Sequence, residues 1–465
     1  MKFKTTLVLL AVLAILLAAV LIFESKGKKD AAAKDKESVL VDLAAAEIER
    51  IEIKKTDGTI ALKKDDKGAW QIAVPLVTKA DATEAEGLVS SLAGLRLDRV
   101  VEKEARDLKA YGIPQTEVSL WAKGRAAPVK VLIGMENPLD KSLFAKREDD
   151  HRVVLLAGSL KSTLDKTVFD LRDKAAFKFA PTEVQKVRVR AKDIAWEAAR
   201  DTDGWRITAP FRALAMKSKL DTLLDSLSSL KAAEFVAEDR KPDDVKKFGL
   251  EKPEYQVTLS LPAGSKEIVL SLHKDAARSY ALSTESTKIV AFDGALLAEL
   301  EKKAEELREK KVLDFSSWEA DRVAVKRSGL ELAAAKEKGK DGDAWLLQTP
   351  AKDAADGTKV EAFIRKVEGL EAAAFIDAPK SLAEYGLDRP AAEVRVRTKG
   401  YDNKVKEAVL LVGKEDKDKK QVVVKNAGLD YLFRVDSSFL DDFPKEAKDW
   451  KAAAVITDKT TDKKK

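Results

Sequence analysis

The sequence predicts an α+β protein of three tandem repeats, each a twisted, mostly antiparallel sheet with an amphipathic helix, preceded by one transmembrane helix. Three observations carry this expectation. A Trp followed five residues later by a Pro occurs at Trp70 and Pro75, Trp205 and Pro210, and Trp345 and Pro350, at intervals of 135 and 140 residues. A helical apolar stripe follows each Trp at the same offset. A Tyr-Gly or Phe-Gly pair then follows each stripe, at Tyr111, Phe248 and Tyr385.

The first element is a membrane signal. Leu7–Phe23 is an uninterrupted apolar run between basic flanks, and a helix of that length rises about 25 Å, at the short end of what spans a bilayer. An uncleaved anchor is the expected reading, because the apolar run exceeds a usual signal-peptide core and no clean small-x-small site follows it. A cleaved signal peptide is the alternative. The short N-terminal tail carries only Lys2 and Lys4, so a signal-anchor sends the large C-terminal body outward. Residues 24–38 are polar and aperiodic, as in a short stalk.

Each repeat then opens with alternating strands, "IERIEIKK", "VQKVRVRA" and "ADRVAVKR", and a second strand and a Gly-containing turn lead into the Trp strand. The tryptophans are expected to seal the sheet against the helix, with each indole N–H on a turn carbonyl. The prolines are expected to mark the strand exits. Ala85, Leu88, Val89, Leu92 and Leu95 recur as Leu220, Leu223, Leu224, Leu227 and Leu230, and as Val360, Phe363, Ile364, Val367 and Leu370. Their spacing puts them on one helical face. Asp81 or Thr83, Ser218 and Thr358 are the expected N-caps.

Val100–Val101, Phe235–Val236 and Phe375–Ile376 predict re-entry into the sheet. Gly112, Gly249 and Gly386 are expected in the left-handed region at the end of a short helical turn, the preceding ring covering the end of the sheet. Four more strands and a terminal helix complete the first two repeats, whose endings share Arg172 and Arg308. The expected boundaries are residues 1–37 for anchor and stalk, 38–179, 180–316 and 317–452 for the repeats, and 453–465 for a flexible tail. The short links favour a semi-rigid arched rod.

Composition excludes several functions. Lys and Arg exceed Asp and Glu by six among 164 charged residues, half of the excess lying in residues 1–30. That is a mixed-charge surface and not the basic face of a nucleic-acid binder. There is no Cys and there are two His, which excludes thiolate chemistry and weakens zinc readings. His151 and His273 stand at non-equivalent offsets and read as surface strand or turn residues. Arg172 and Arg308 read as local partners of Asp173 and Glu309 before they read as anion binders. The aspartate pairs at 65–66, 149–150 and 441–442 read as solvated turns. Gly134 and Gly413 end strands without a phosphate-loop or dinucleotide pattern. No catalytic, cofactor-binding or metal-binding residue is assigned, no cofactor is expected, and the chain is not expected to be an enzyme.

The stretches "WQIAVP", "LAEYGLDRPAAEVRV" and "VFDLRDK" resemble the bacterial domain of unknown function numbered 4340, in repeated form over nearly the whole chain after the anchor. The third repeat departs from the pattern in lacking a clear "LRDK", the second in having Phe248, and the first in having Pro114 directly after Ile113. The resemblance implies a single-pass protein of the bacterial cytoplasmic membrane with an extracytoplasmic body, near ABC-type export or gliding-type systems. The expected function is a membrane-anchored scaffold or adaptor contacting an envelope or ABC-type permease protein, with the membrane held through residues 7–23. The alternative is a binding module for an envelope polymer such as peptidoglycan or polysaccharide.

Overall fold

The computed structural model describes residues 38–453, apart from 203, 263–266, 340–341 and 402. The expected membrane span over residues 7–23 lies outside the described residues, as does the tail from 454 onward. Among the described residues no helix is long and apolar enough to cross a membrane.

Three nine-stranded sheets repeat one topology. The first contains β1 (Ile48–Lys55), β2 (Gly58–Lys64), β3 (Trp70–Val74), β4 (Thr78–Lys79), β5 (Leu97–Glu102), β6 (Thr116–Ala122), β7 (Val129–Glu136), β8 (Leu143–Arg147) and β9 (Val153–Leu156). The second contains β10 (Lys186–Ala191), β11 (Ile194–Asp201), β12 (Gly204–Ala209), β13 (Ala213–Leu214), β14 (Glu234–Ala237), β15 (Tyr255–Ser260), β16 (Ile268–Lys274), β17 (Ser279–Ser283) and β18 (Ile289–Phe292). The third contains β19 (Ala320–Arg327), β20 (Leu330–Gly339), β21 (Gly342–Thr349), β22 (Asp353–Ala354), β23 (Ala374–Ile376), β24 (Ala392–Lys399), β25 (Val405–Asp416), β26 (Gln421–Asn426) and β27 (Leu432–Asp436). The first sheet runs β4-β3-β2-β1-β6-β7-β8-β9-β5, and the others follow the same order. The two-residue strands β4, β13 and β22 are too short to leave an alternating pattern and are additions to the sequence reading.

The long helices α1 (Ala82–Ala93), α2 (Lys217–Ser228) and α3 (Gly357–Glu368) carry the chain from one edge of each sheet to the other. The stripe is buried as its period predicts, with Leu88, Leu220, Leu224, Val360 and Ile364 at 0% exposure. A fully buried Leu or Ile stabilises the fold by about 1.5–3 kcal/mol. The fifth stripe positions, Leu95, Leu230 and Leu370, fall just past the helix ends. Asp81 caps α1 by accepting from the Glu84 N–H. The other expected caps are corrected. Ser218 is already inside α2, whose N-cap is Met216, and α3 is capped by Asp356, because its carboxylate reaches the Lys359 N–H from outside the first turn.

Gly112, Gly249 and Gly386 have φ of 63°, 69° and 69°, the left-handed turn predicted for them. The ring before each does not cover the end of the sheet. Tyr111 packs on Phe144 of β8, and Phe248 on Tyr280 of β17. In the third sheet Val422 and Val424 join the helix-side core, whereas Val423 packs with Tyr385 and Leu387. Strand alternation therefore places the glycine turn on the sheet face opposite the helix.

The chain divides into two compact units, Met1–Ala176 with Lys231–Phe235, and Phe177–Leu230 with Val236–Lys465. The first holds the first sheet. In the second, Ala213 of the second repeat belongs to the core of the third, and the Leu214 N–H donates to the Tyr431 hydroxyl at 3.3 Å.

Candidate functional site

The repeated tryptophans lie in the core. Trp70, Trp205 and Trp345 are at most 7% exposed, and the peptide bonds before Pro75, Pro210 and Pro350 are cis. Opposite each indole on the neighbouring strand stands a cation, Lys64, Arg200 or Lys336, over the ring at 5.2, 4.7 and 5.2 Å. The indole N–H donates to a helix carboxylate where a turn carbonyl was expected: Trp205 to Asp221 at 3.3 Å and Trp345 to Glu361 at 3.2 Å. The same carboxylates face Arg200 and Lys336 at 3.6 and 3.7 Å. Burial pushes the Asp221 carboxyl up, but hydrogen bonds from Lys217 and the indole outweigh it and hold the group below its usual range. In the second and third repeats a ring, a cation and a carboxylate thus lock helix to sheet, and in the first the buried Trp70 ring is covered by Lys64.

The closing arginines are also structural. Arg308 pairs with Asp377 and not with its expected neighbour Glu309. Arg172 is 4% exposed and its guanidinium lies 3.4 Å over Phe235. Arg308 is 2% exposed, makes two hydrogen bonds to Asp377, and stacks 3.7 Å over Phe375 and 4.4 Å over Tyr431. The closing segments are single helical turns, Val168–Leu171 and Ala304–Leu307, and not longer helices. Their backbone pattern reveals a third copy that the side chains conceal. Asp81 donates to the Leu171 carbonyl, Met216 to Leu307 and Asp356 to Trp450. Arg172, Arg308 and Lys451 form single bridges with Ala80, Ala215 and Ala355. "WKAA" therefore replaces "LRDK" in the third repeat.

The remaining candidates separate. His151 is exposed, and His273 is half-buried against Gly249. They fall in different compact units. Asp65 organises its turn by accepting from Lys67, Ala69 and Gln71, which lowers its carboxyl, and Asp150 holds Arg152; neither is merely solvated.

A cleft in the third repeat was not foreseen. It has a volume of about 460 Å³ and is lined by Arg327, Arg389, Lys414 and Glu415 over a floor including Ala392, Val412, Leu440 and Phe443. Its wall is a bulge in β25, where the pairing with β26 shifts between Val412 and Glu415. Gly413 sits in the bulge because a Cβ there would lie 2.2 Å from the Tyr385 carbonyl oxygen. Lys414 donates to the Glu384 carbonyl at 2.9 Å. Arg327 faces Phe443 at 6.0 Å, and among the described residues neither its guanidinium nor that of Arg389 has an acidic partner.

Register shows how the cleft arises. Lys55 pairs with Thr116, Ala191 with Tyr255, and Arg327 with Ala392. In the first repeat Lys55 is neutralised by Asp165 at 2.9 Å. In the second the Tyr255 ring fills the space, with its hydroxyl and Lys192 both on Glu301 at 2.6 Å. In the third, the small Ala392 leaves the space open, and the closing turn Ser437–Asp442 is followed by Phe443 and Pro444 and brings no carboxylate to Arg327. His273 stands in the second repeat where Gly134 and Gly413 stand in the others, immediately after Leu272, Ile133 and Val412 in the same register.

The molecule is thus a three-sheet repeat protein whose recurrent residues build the frame and whose third copy carries a basic cleft. The family model described as Domain of unknown function (DUF4340) matches residues 70–242, 205–381 and 345–462, each match beginning at one of the repeated tryptophans, and the chain belongs to this family. No curated protein matches the sequence. Among solved structures, the DNA polymerase III subunit beta from Pseudomonas aeruginosa aligns over 85% of this chain and 94% of its own at 9% identity and a TM-score of 0.13, a likeness too slight to carry an argument.

Proposed function

We propose that the chain is a membrane-anchored extracytoplasmic scaffold or adaptor, held in the bacterial cytoplasmic membrane through residues 7–23 and contacting an envelope protein such as an ABC-type permease. The observation that carries this reading is an exposed aromatic pair. Trp318 and Tyr401 are 61% and 91% exposed, their rings are 5.3 Å apart, and Val405 beside them is 59% exposed. Trp318 lies in the turn Ser317–Glu319 just before β19, and Tyr401 in the connection from β24 to β25. Trp and Tyr in such a setting are the side chains that anchor protein interfaces. The frame residues support a contact function over a catalytic one, because the repeated Trp and Arg side chains are engaged in packing.

Affinity recovery of the full-length chain from membranes in mild detergent tests the proposal. Recovery of a permease subunit with the wild type, lost with the double variant Trp318→Ser and Tyr401→Ser, supports it. Recovery of the same protein by both forms, or of the chain alone under several mild detergents, sinks it. The same pair could stack on sugar rings of an envelope polymer; cosedimentation with purified cell wall at low salt, abolished by the double variant, would favour that second reading.

A further inference from the structure

The end of the first strand of each repeat meets three different solutions: an ion pair in the first, a filled space in the second, and an open basic cleft in the third. Arg327 is half-buried and Arg389 exposed, both line the cleft, and neither has a carboxylate partner among the described residues, so the third solution stands out against the frame that surrounds it. The cleft is within the size range of small-ligand sites. Its chemistry is divided. Arg327 and Arg389 offer planar forks suited to a carboxylate, whereas Val412, Ala392, Leu440 and Phe443 offer an apolar floor. Glu415 on the lip opposes a second negative charge, which disfavours a phosphate dianion.

We propose that this cleft binds an acidic peptide segment, a carboxylate engaging Arg327 and Arg389 and a neighbouring apolar side chain seated on Val412, Leu440 and Phe443. The assignment stands apart from the aromatic pair and does not depend on what that pair contacts. Glycine at 413 lets the Tyr385–Gly386 turn approach the bulged strand, and the bulge sets Lys414 on the rim.

The test uses the full-length chain in mild detergent and a fluorescein-labelled hexapeptide of alternating leucine and glutamate, read by fluorescence anisotropy. Saturable binding that weakens with added salt is expected. Arg327→Gln and Arg389→Gln should each weaken it at least about tenfold, the loss of one charge-assisted pair. Ala392→Tyr, which copies the filling seen at Tyr255, should abolish it. Thermal unfolding of the two glutamine variants, with midpoints close to wild type, keeps the result separate from misfolding. Affinity equal to wild type in both glutamine variants would overturn the proposal, as would equal binding of the peptide with glutamine in place of glutamate. Displacement by inorganic phosphate as readily as by unlabelled peptide would overturn the assignment to a peptide carboxylate.

Discussion

The Arg308 guanidinium and the Asp377 carboxylate are joined by two parallel hydrogen bonds, Nη1 to Oδ2 at 3.0 Å and Nη2 to Oδ1 at 2.7 Å, with 3% of the arginine side chain and 46% of the aspartate exposed. The arginine comes from the end of the second repeat and the aspartate from the third. Phe375 and Tyr431 of the third repeat and Phe211 of the second surround the guanidinium, which is buried among them. Asp377→Asn is expected to cost about 1.5–3 kcal/mol, the loss of charge-assisted bonds, and Arg308→Ala about 3–5 kcal/mol, since it also removes the stacked plane. Urea unfolding measures both. Arg308→Lys should not rescue, because an ammonium reproduces neither fork nor stack.

Trp205→Ala is expected to destabilise the second compact unit by about 3–5 kcal/mol through lost burial and a cavity. Urea unfolding gives the loss, and limited proteolysis locates it in the second repeat. A midpoint and a cleavage pattern both equal to wild type would return the indole to the functional residues.

Gly413→Ala should cost about 1–3 kcal/mol from overpacking, because the new Cβ would meet the Tyr385 carbonyl at 2.2 Å and Leu387 at 3.0 Å. Gly329→Ala, at φ of +77° with nothing within 4 Å, should cost only the left-handed strain of about 1 kcal/mol. A thermal unfolding series ranks the two, and the reverse order would contradict the close approach of turn and strand.

The Lys192–Glu301 pair gives a pH dependence. Hydrogen bonds from Lys192 and then Tyr255 hold the Glu301 carboxyl below its usual value, and the same pairing raises Lys192. A carboxyl lowered on folding stabilises the native state above its unfolded pKa, about 4.3, and that contribution fades as the pH falls through the folded value. Glu301→Gln should therefore melt below wild type at pH 7, and the gap should close as the pH drops below about 4. A gap constant across that range would contradict the assignment.

Much of the frame was legible because it rests on local periodicity. The stripe from Leu220 to Leu227 can be read from spacing alone, and so can the left-handed glycines. What escaped depends on backbone bonds or on strands far apart in sequence. Trp450 and Lys451 differ in identity from Leu307 and Arg308, yet they make the same backbone bonds. The signal available was an apolar residue followed by a cation at each repeat end. The cleft could not be read because it requires the register of Arg327 against Ala392 and the absence of a carboxylate supplied after β27. The indole partners Asp221 and Glu361 were legible in principle, standing 16 residues after their tryptophans, but nothing local points a helix carboxylate at a strand indole.

The bridges from Ala80, Ala215 and Ala355 to the closing segments have a consequence for self-association. An open sheet edge offers unpaired amides and carbonyls that template further strands. In each sheet the short edge strand is continued and covered by the repeat's own last residues, Arg172, Arg308 or Lys451. In the third sheet the cover also includes the bonds from Asp356 to Trp450 and from Ala452 to Ala354. A chain cut ahead of Trp450 would uncover that edge while leaving the first two closed, turning a self-terminated sheet into a seed for strand addition between molecules.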